Sequence, residues 1–308
     1  MAVTHYQLVN SNKQRSFIIM ALFILFVAGA SYLMTIAFGY ELNIVALALI
    51  FSGITTFVSY WWSDKIILGI SGAKPATREE FFDFYTLVEN IALGQRMPMP
   101  KLYVIQDSAI NAFATGRNPD NAVVCATTGL LGRLNRSEIE GVVAHEMSHV
   151  QNYDILLMSV VAVLVGLVAL LSDWFLRMSF LGGRRRSNDD RQAGQLQVFL
   201  IIIGLLLALL SPLISQLIKL ALSRRRELLA DSSAVAMTRN PEGLARALEK
   251  ISLDKQPLET ASKATAHLFI ANPLKNRHDT VGWFAGLFNT HPPIEDRIAN
   301  LRRMTIKT

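Results

Sequence analysis

One cysteine, Cys125, is all that the 308 residues contain, and this scarcity removes two classes at once. No intrachain disulfide can form, and no cysteine-rich metal centre can be built. Cys125 stands in an apolar, strand-like run, which fits a buried inert thiol better than a nucleophile. Charge is scarce too: 18% of residues are charged against 51% apolar, a balance that points to membrane segments. Internal repeats and extended low-complexity stretches are lacking, so repeat architectures are set aside. The net charge of +6 would suit nucleic acid in a water-soluble protein. Here the arginine clusters flank apolar runs, so anionic lipid headgroups account for the charge and no nucleic-acid partner is expected.

The first apolar run, Phe17 to Phe38, follows Lys13 and Arg15 and is long enough to span a bilayer. A cleaved signal peptide is the competing reading. A second run, Ile44 to Trp62, follows too soon for that, and the two read as a hairpin with Tyr60, Trp61 and Trp62 as an interfacial belt. Further runs at Ile155 to Leu176 and Leu196 to Leu222 are also long enough, with a kink expected at Ser211-Pro212. The expected organisation is a tail (1–15), a membrane hairpin (16–64), a catalytic part (65–154), a second membrane pair (155–222, with a polar loop at 177–195) and a C-terminal catalytic part (223–308). The fold class is mainly α with a small β-sheet and about four transmembrane helices. Within the catalytic part, Thr77 and Glu80 have capping-box spacing and predict a helix running to about Gly94. Strands are expected at Lys101 to Gln106, Ala112 to Thr115 and Ala122 to Thr127. Asn135 with Glu138 repeats the capping-box spacing and opens a helix carrying Ile139, Val142, Val143, Met147 and Val150 on one face.

That helix holds His145-Glu146-Met147-Ser148-His149. Residues i and i+4 share a helical face, so both imidazoles can reach one ion. Glu146, rotated by about 100° from His145, stays beside the ion without ligating it and can act on a water. Two histidines, a free glutamate and an open position point to catalytic Zn2+. The bland alternative is a helix with two solvated histidines. A third protein ligand is required, and Glu227 is the candidate, with Asp231 one turn further able to hold the outer nitrogen of a ligand histidine. The same two residues could equally be ordinary carboxylates behind the positive cluster Arg224-Arg225-Arg226. His267 and His278 lack metal spacing. His291 opens His291-Pro292-Pro293-Ile294-Glu295-Asp296-Arg297, which also reads as a helix start.

Taken in order, the apolar hairpin, Asn111-Ala112-Phe113-Ala114, the His145 to His149 motif, two more apolar runs, Glu227 with Asp231 and His291-Pro292-Pro293 resemble the HtpX-type membrane metallopeptidases, relatives of the CAAX prenyl proteases. The resemblance covers nearly the whole chain. It implies a zincin-like membrane endopeptidase with His145, His149 and Glu227 as ligands of one zinc ion and Glu146 as catalytic base. It implies that His291 and Arg297 bind the oxyanion. It implies that Asn111, Ala112 and Phe113 form an edge strand on which a protein substrate lies extended. It also implies quality control of damaged membrane proteins in a bacterial inner membrane, with the catalytic part facing the cytoplasm.

Two other classes compete. An inactive zinc-binding scaffold has no need of Glu146. A channel or transporter would carry charge within its membrane runs, whereas here Asp173 and Lys219 lie near run ends. Arg184, Arg185 and Arg186 set a difficulty for the topology, because a cytoplasmic catalytic part puts this loop outside, against the positive-inside rule.

Overall fold

The computed structural model describes residues 5–38, 42–182, 224–254, 256, 258, 265, 268–270 and 292–305. Two long helices open it, α1 (His5–Phe38) and α2 (Asn43–Ile70). Within them, Val9–Gly29 and Val45–Ile70 are long and apolar enough to cross a membrane. Their outward faces carry exposed Phe17, Leu25, Leu47, Ile50, Ile54 and Phe57, the pattern of helices solvated by lipid. The inward face of α2 is different. Ser52, Thr56, Ser59 and Ser63 recur at helical spacing and are buried, so small side chains let neighbouring helices approach closely. Ser52, Thr56 and Ser59 donate to carbonyls of their own helix, leaving few unmet polar groups.

The segment expected as a tail is helical from His5 onward, and Asn12 on it is buried, as is Ser16 just beyond it. It is drawn in because Asn12 bonds to groups at the junction described below. The run at 155–176 lies within α6 (Asp154–Gly182). The run at 196–222, Arg184 to Arg186 and Pro212 lie outside the described residues.

The sheet has four strands in the order β1-β2-β4-β3: β1 (Lys74–Pro75), β2 (Lys101–Ile105), β3 (Ala112–Gly116) and β4 (Ala122–Thr127). β2 and β4 run parallel and the other pairs antiparallel. Side chains alternate between two cores. Leu102, Val104, Ala112, Val124 and Ala126 face one core with α3 (Phe82–Gly94) and α5 (Arg136–Gln151). Ile105, Phe113, Val123 and Cys125 face the other, built with α1, α2 and α6. A sheet covered on both sides reads as near-continuous apolar runs, as these strands do. Cys125 is fully buried on the membrane-helix side, where burial pushes its thiol up.

The helix expected from Thr77 begins at Phe82 instead, though it ends at Gly94 as read. Thr77 does accept the Glu80 N–H, but Phe81 then leaves helical geometry (φ −124°, ψ 52°), so the cap closes a separate turn. The short α4 (Thr128–Arg133), capped by Thr127, links β4 to α5. The Asn135–Glu138 capping box is present in both directions and fixes the start of α5. α7 (Arg224–Thr238), α8 (Pro241–Leu253) and α9 (Ile294–Thr305) complete the described elements.

α5 and α8 touch through backbone. A Cβ on Gly141 would stand 2.7 Å from the Leu244 nitrogen. Gly141→Ala should therefore lower stability by about 1–3 kcal/mol despite alanine's better helix propensity. Gly132→Ala, with nothing within 4 Å of the new methyl, should not. Melting curves of the two variants in the same detergent check this.

Candidate metal centre

α5 is held by its cap, by its buried apolar face and by the close contact with α8, and it presents His145 and His149 into the protein interior. α7 packs against it and brings Glu227 opposite. The two Nε2 atoms are 3.3 Å apart, and Glu227 turns one oxygen to each: Oε2 lies 3.6 Å from His145 Nε2 and Oε1 lies 3.6 Å from His149 Nε2. Ligands about 2.0–2.1 Å from a tetrahedral zinc stand about 3.3–3.4 Å from one another, so this donor set fits such an ion. All three residues are buried, which removes the reading of two solvated histidines. Arg224 and Arg225 are exposed, as a positive flank should be, while Glu227 turns inward.

Each imidazole is held from behind. His145 Nδ1 lies 3.0 Å from Asp231 Oδ1, and His149 Nδ1 lies 3.0 Å from Asp154 Oδ2. A carboxylate at Nδ1 fixes the tautomer, so Nε2 is left to face a metal. Asp231, one turn beyond Glu227 on α7, thus stands at the outer nitrogen of His145. Asp154 was not expected. Its only sequence signal is a carboxylate directly before an apolar run, five residues after His149.

Arg297 is fully buried beside the cluster. Nε and Nη2 donate to the two Asp231 oxygens at 2.9 and 2.7 Å, and Nη1 donates to the Ile270 carbonyl at 3.4 Å. Nη1 also lies 3.7 Å from Glu227. All three guanidinium nitrogens are engaged, and two of them tie Arg297 to Asp231. The reason is electrostatic: a buried guanidinium requires paired carboxylates. His291, like His267 and His278, lies outside the described residues.

β3 is an edge of the sheet, and Asn111, Ala112 and Phe113 lie at its start, all buried. The chain's own segment 268–270 sits there. Ile270 N–H donates to the Ala112 carbonyl at 3.0 Å, and the Phe269 ring meets Phe113 edge-on at 5.1 Å.

Charge in this cluster is strongly coupled. Burial pushes the Glu146 carboxyl up. Burial and the Arg297 charge press His145 down, but hydrogen bonds to Asp231 and Glu227 outweigh them and lift it to about 9. Burial likewise opposes the charged form of His149, and its bond to Asp154 and the charge of Glu227 raise it overall. Burial would raise Asp231, but Arg297 and His145 hold it at about 2.

Residues 82–305 match the model of peptidase family M48. A protease HtpX homolog of Caldanaerobacter subterraneus subsp. tengcongensis is 43% identical over 305 residues, 98% of this chain and 99% of the relative. One from Dictyoglomus thermophilum is 44% identical over 306 residues, 98% and 95% of the two chains. The solved structure of S. mikatae Ste24p aligns with 96% of this chain and 67% of its own, at 18% identity and a TM-score of 0.49. The chain belongs to peptidase family M48 and is a membrane protease. Its full-length relatives are HtpX homologs, in agreement with the resemblance carried by its motifs.

Two outcomes follow from the geometry. With His145 at about 9, an imidazole must shed its proton to ligate, so zinc binding at pH 7 should release about one proton or more. Calorimetric titration in two buffers of different ionisation enthalpy measures the number. Arg297→Ala leaves buried carboxylates without their counter-charge and should cost about 3–5 kcal/mol in denaturant unfolding. An arginine serving only an oxyanion would leave stability nearly unchanged.

Proposed function

We propose that the chain is a zinc-dependent endopeptidase in which His145, His149 and Glu227 hold the metal and Glu146 is the catalytic base. The observation that carries this reading is the buried cluster of two imidazoles 3.3 Å apart at Nε2 with the Glu227 carboxylate facing both, one oxygen 3.6 Å from each. When bound, zinc supplies Lewis acidity that eases deprotonation of a water and polarises the scissile carbonyl. Glu146, one residue beyond a ligand and held in a dry site that raises its pKa, is suited to take the proton and later hand it to the leaving amine. Asp231, Asp154 and Arg297 orient the ligands and balance their charge. His291 remains the residue for the oxyanion by family resemblance, and the edge of β3 remains the strand on which substrate backbone pairs. Displacing segment 268–270 from that edge would be part of substrate entry.

The anchoring supports membrane-protein substrates. α1 and α2 are the two described helices that meet the requirements of a span, and α6 with the run at 196–222 supplies a second pair in this reading. Lys13, Arg15, Lys65 and Arg224 to Arg226 would then place the parts 65–154 and 223–308 in the cytoplasm of a bacterial inner membrane. Proteolytic quality control of damaged membrane proteins is the role that fits a protease so placed.

Glu146→Gln should keep about one zinc per chain and lose casein cleavage by roughly a hundredfold or more. Glu227→Ala should lose both zinc and activity, because two imidazoles alone bind weakly. Zinc content and proteolysis, with and without chelator, separate the enzyme from an inactive zinc scaffold. For topology, Cys125 is removed and single cysteines are placed at Ser187 and Thr305. An impermeant thiol reagent on spheroplasts should label only the first, and labelling at Thr305 refutes the orientation.

A further inference from the structure

We propose that Asn12, on the first membrane helix, is a positioning residue for the metal ligand His149, acting through Asp154. This rests on the metal-centre reading given above and extends the site into a helix whose sequence suggests only an anchor.

Asp154 is the first residue of α6 and has two jobs for two oxygens. Oδ2 meets His149 Nδ1 at 3.0 Å. Oδ1 accepts the Asn12 amide at 2.7 Å and lies 3.4 Å from Arg226 Nη1. Asn12 Nδ2 also donates to the Asn152 carbonyl at 2.9 Å, and Asn12 Oδ1 accepts from Arg226 Nη1 at 3.0 Å. Asn12 is only 2% exposed. Its amide thus joins three places: the break between α5 and α6, the carboxylate behind His149, and Arg226, which immediately precedes the Glu227 ligand.

The residue type is informative. The site needs donors toward Asp154 and the Asn152 carbonyl and an acceptor for Arg226, and a primary amide supplies both kinds from one short side chain. Aspartate has no donor, and leucine has neither donor nor acceptor. A carboxylate held at one oxygen can turn about its last torsion, which is a soft one. With Oδ1 pinned by Asn12, Oδ2 stays on the imidazole, and the ring keeps Nε2 toward Glu227. A packing role alone would explain a buried small residue on α1. It would not explain an amide whose polar atoms meet Asp154, the Asn152 carbonyl and Arg226 together.

The test uses the full-length protein in detergent. Zinc affinity is measured by competition with a chromophoric chelator, and ligand geometry is read from the d–d absorption of the cobalt-substituted form. Asn12→Leu should weaken zinc binding about 3–10-fold, less than the roughly 10–100-fold expected on losing Asp154 itself, and should shift the cobalt bands. Ser16→Ala, buried on the same helix with its hydroxyl on the Asn12 carbonyl, should change neither. Because Asn12 acts through Asp154, the Asn12→Leu, Asp154→Ala pair should bind zinc no more weakly than Asp154→Ala alone. Wild-type affinity and cobalt spectrum in Asn12→Leu would overturn the proposal, as would additive losses in the pair. Should Asn12→Leu fail to fold, Asn12→Ser, smaller and polar, is held to the same criteria. Failure of the wild-type protein to bind zinc would overturn the metal-centre reading instead, so the two are told apart.

Discussion

Glu146, Glu227 and Asp231 are drawn out of water together beside two imidazoles, and everything else at the centre depends on how that charge is balanced. Removing an ion from water costs several kcal/mol even after relaxation. Arg297 offsets it by gripping Asp231 with two nitrogens while lying near Glu227. The charge of the cluster is therefore balanced only with α9 in place, although α9 lies far along the chain from α5. The guanidinium keeps Asp231 ionised, and ionised Asp231, together with Glu227, lifts His145 against burial and the opposing charge of Arg297.

The sheet joins two environments that are usually separate. One face packs on the helix bearing the metal ligands, the other on helices of membrane length. Consecutive residues of β4 contribute alternately to each core, so neither core can be assembled alone. Thr115 and Ser159 add a buried hydroxyl pair at 2.8 Å between β3 and α6. The membrane helices are thus continuous with the catalytic body.

What the sequence made legible was local. The capping box, the strands at 101–105 and 122–127 and the spacing of His145 with His149 are set by neighbours within a few residues, and periodicity reports them directly. Glu227 could be named from its motif, but choosing it over an ordinary carboxylate needed the contact between α5 and α7. Residues whose partners are remote were hidden. Asn12 meets groups some 140 positions away, and nothing within α1 announces it. Arg226 looked like Arg224 and Arg225 because a run of arginines gives no hint of which one turns inward. Arg297 was recognised, but its grip on Asp231 was not, since a motif conveys which residues matter and not which atoms they meet. The strand at Lys74–Pro75 is too short for any pattern to show.

Between α5 and α6 the chain turns by 85°, with Tyr153 in the left-handed region at φ 59°. A continuous helix would have carried His149 along the same axis as the apolar run. The turn lays the ligand helix across that axis instead, so the metal centre stays level with the helix ends. On the proposed reading of membrane-protein substrates, a substrate anchored in the same bilayer would search in two dimensions rather than three, at an effective concentration of roughly the millimolar range. Under such confinement weak backbone pairing suffices for capture, and selection can rest on where a peptide bond is held rather than on which side chains flank it.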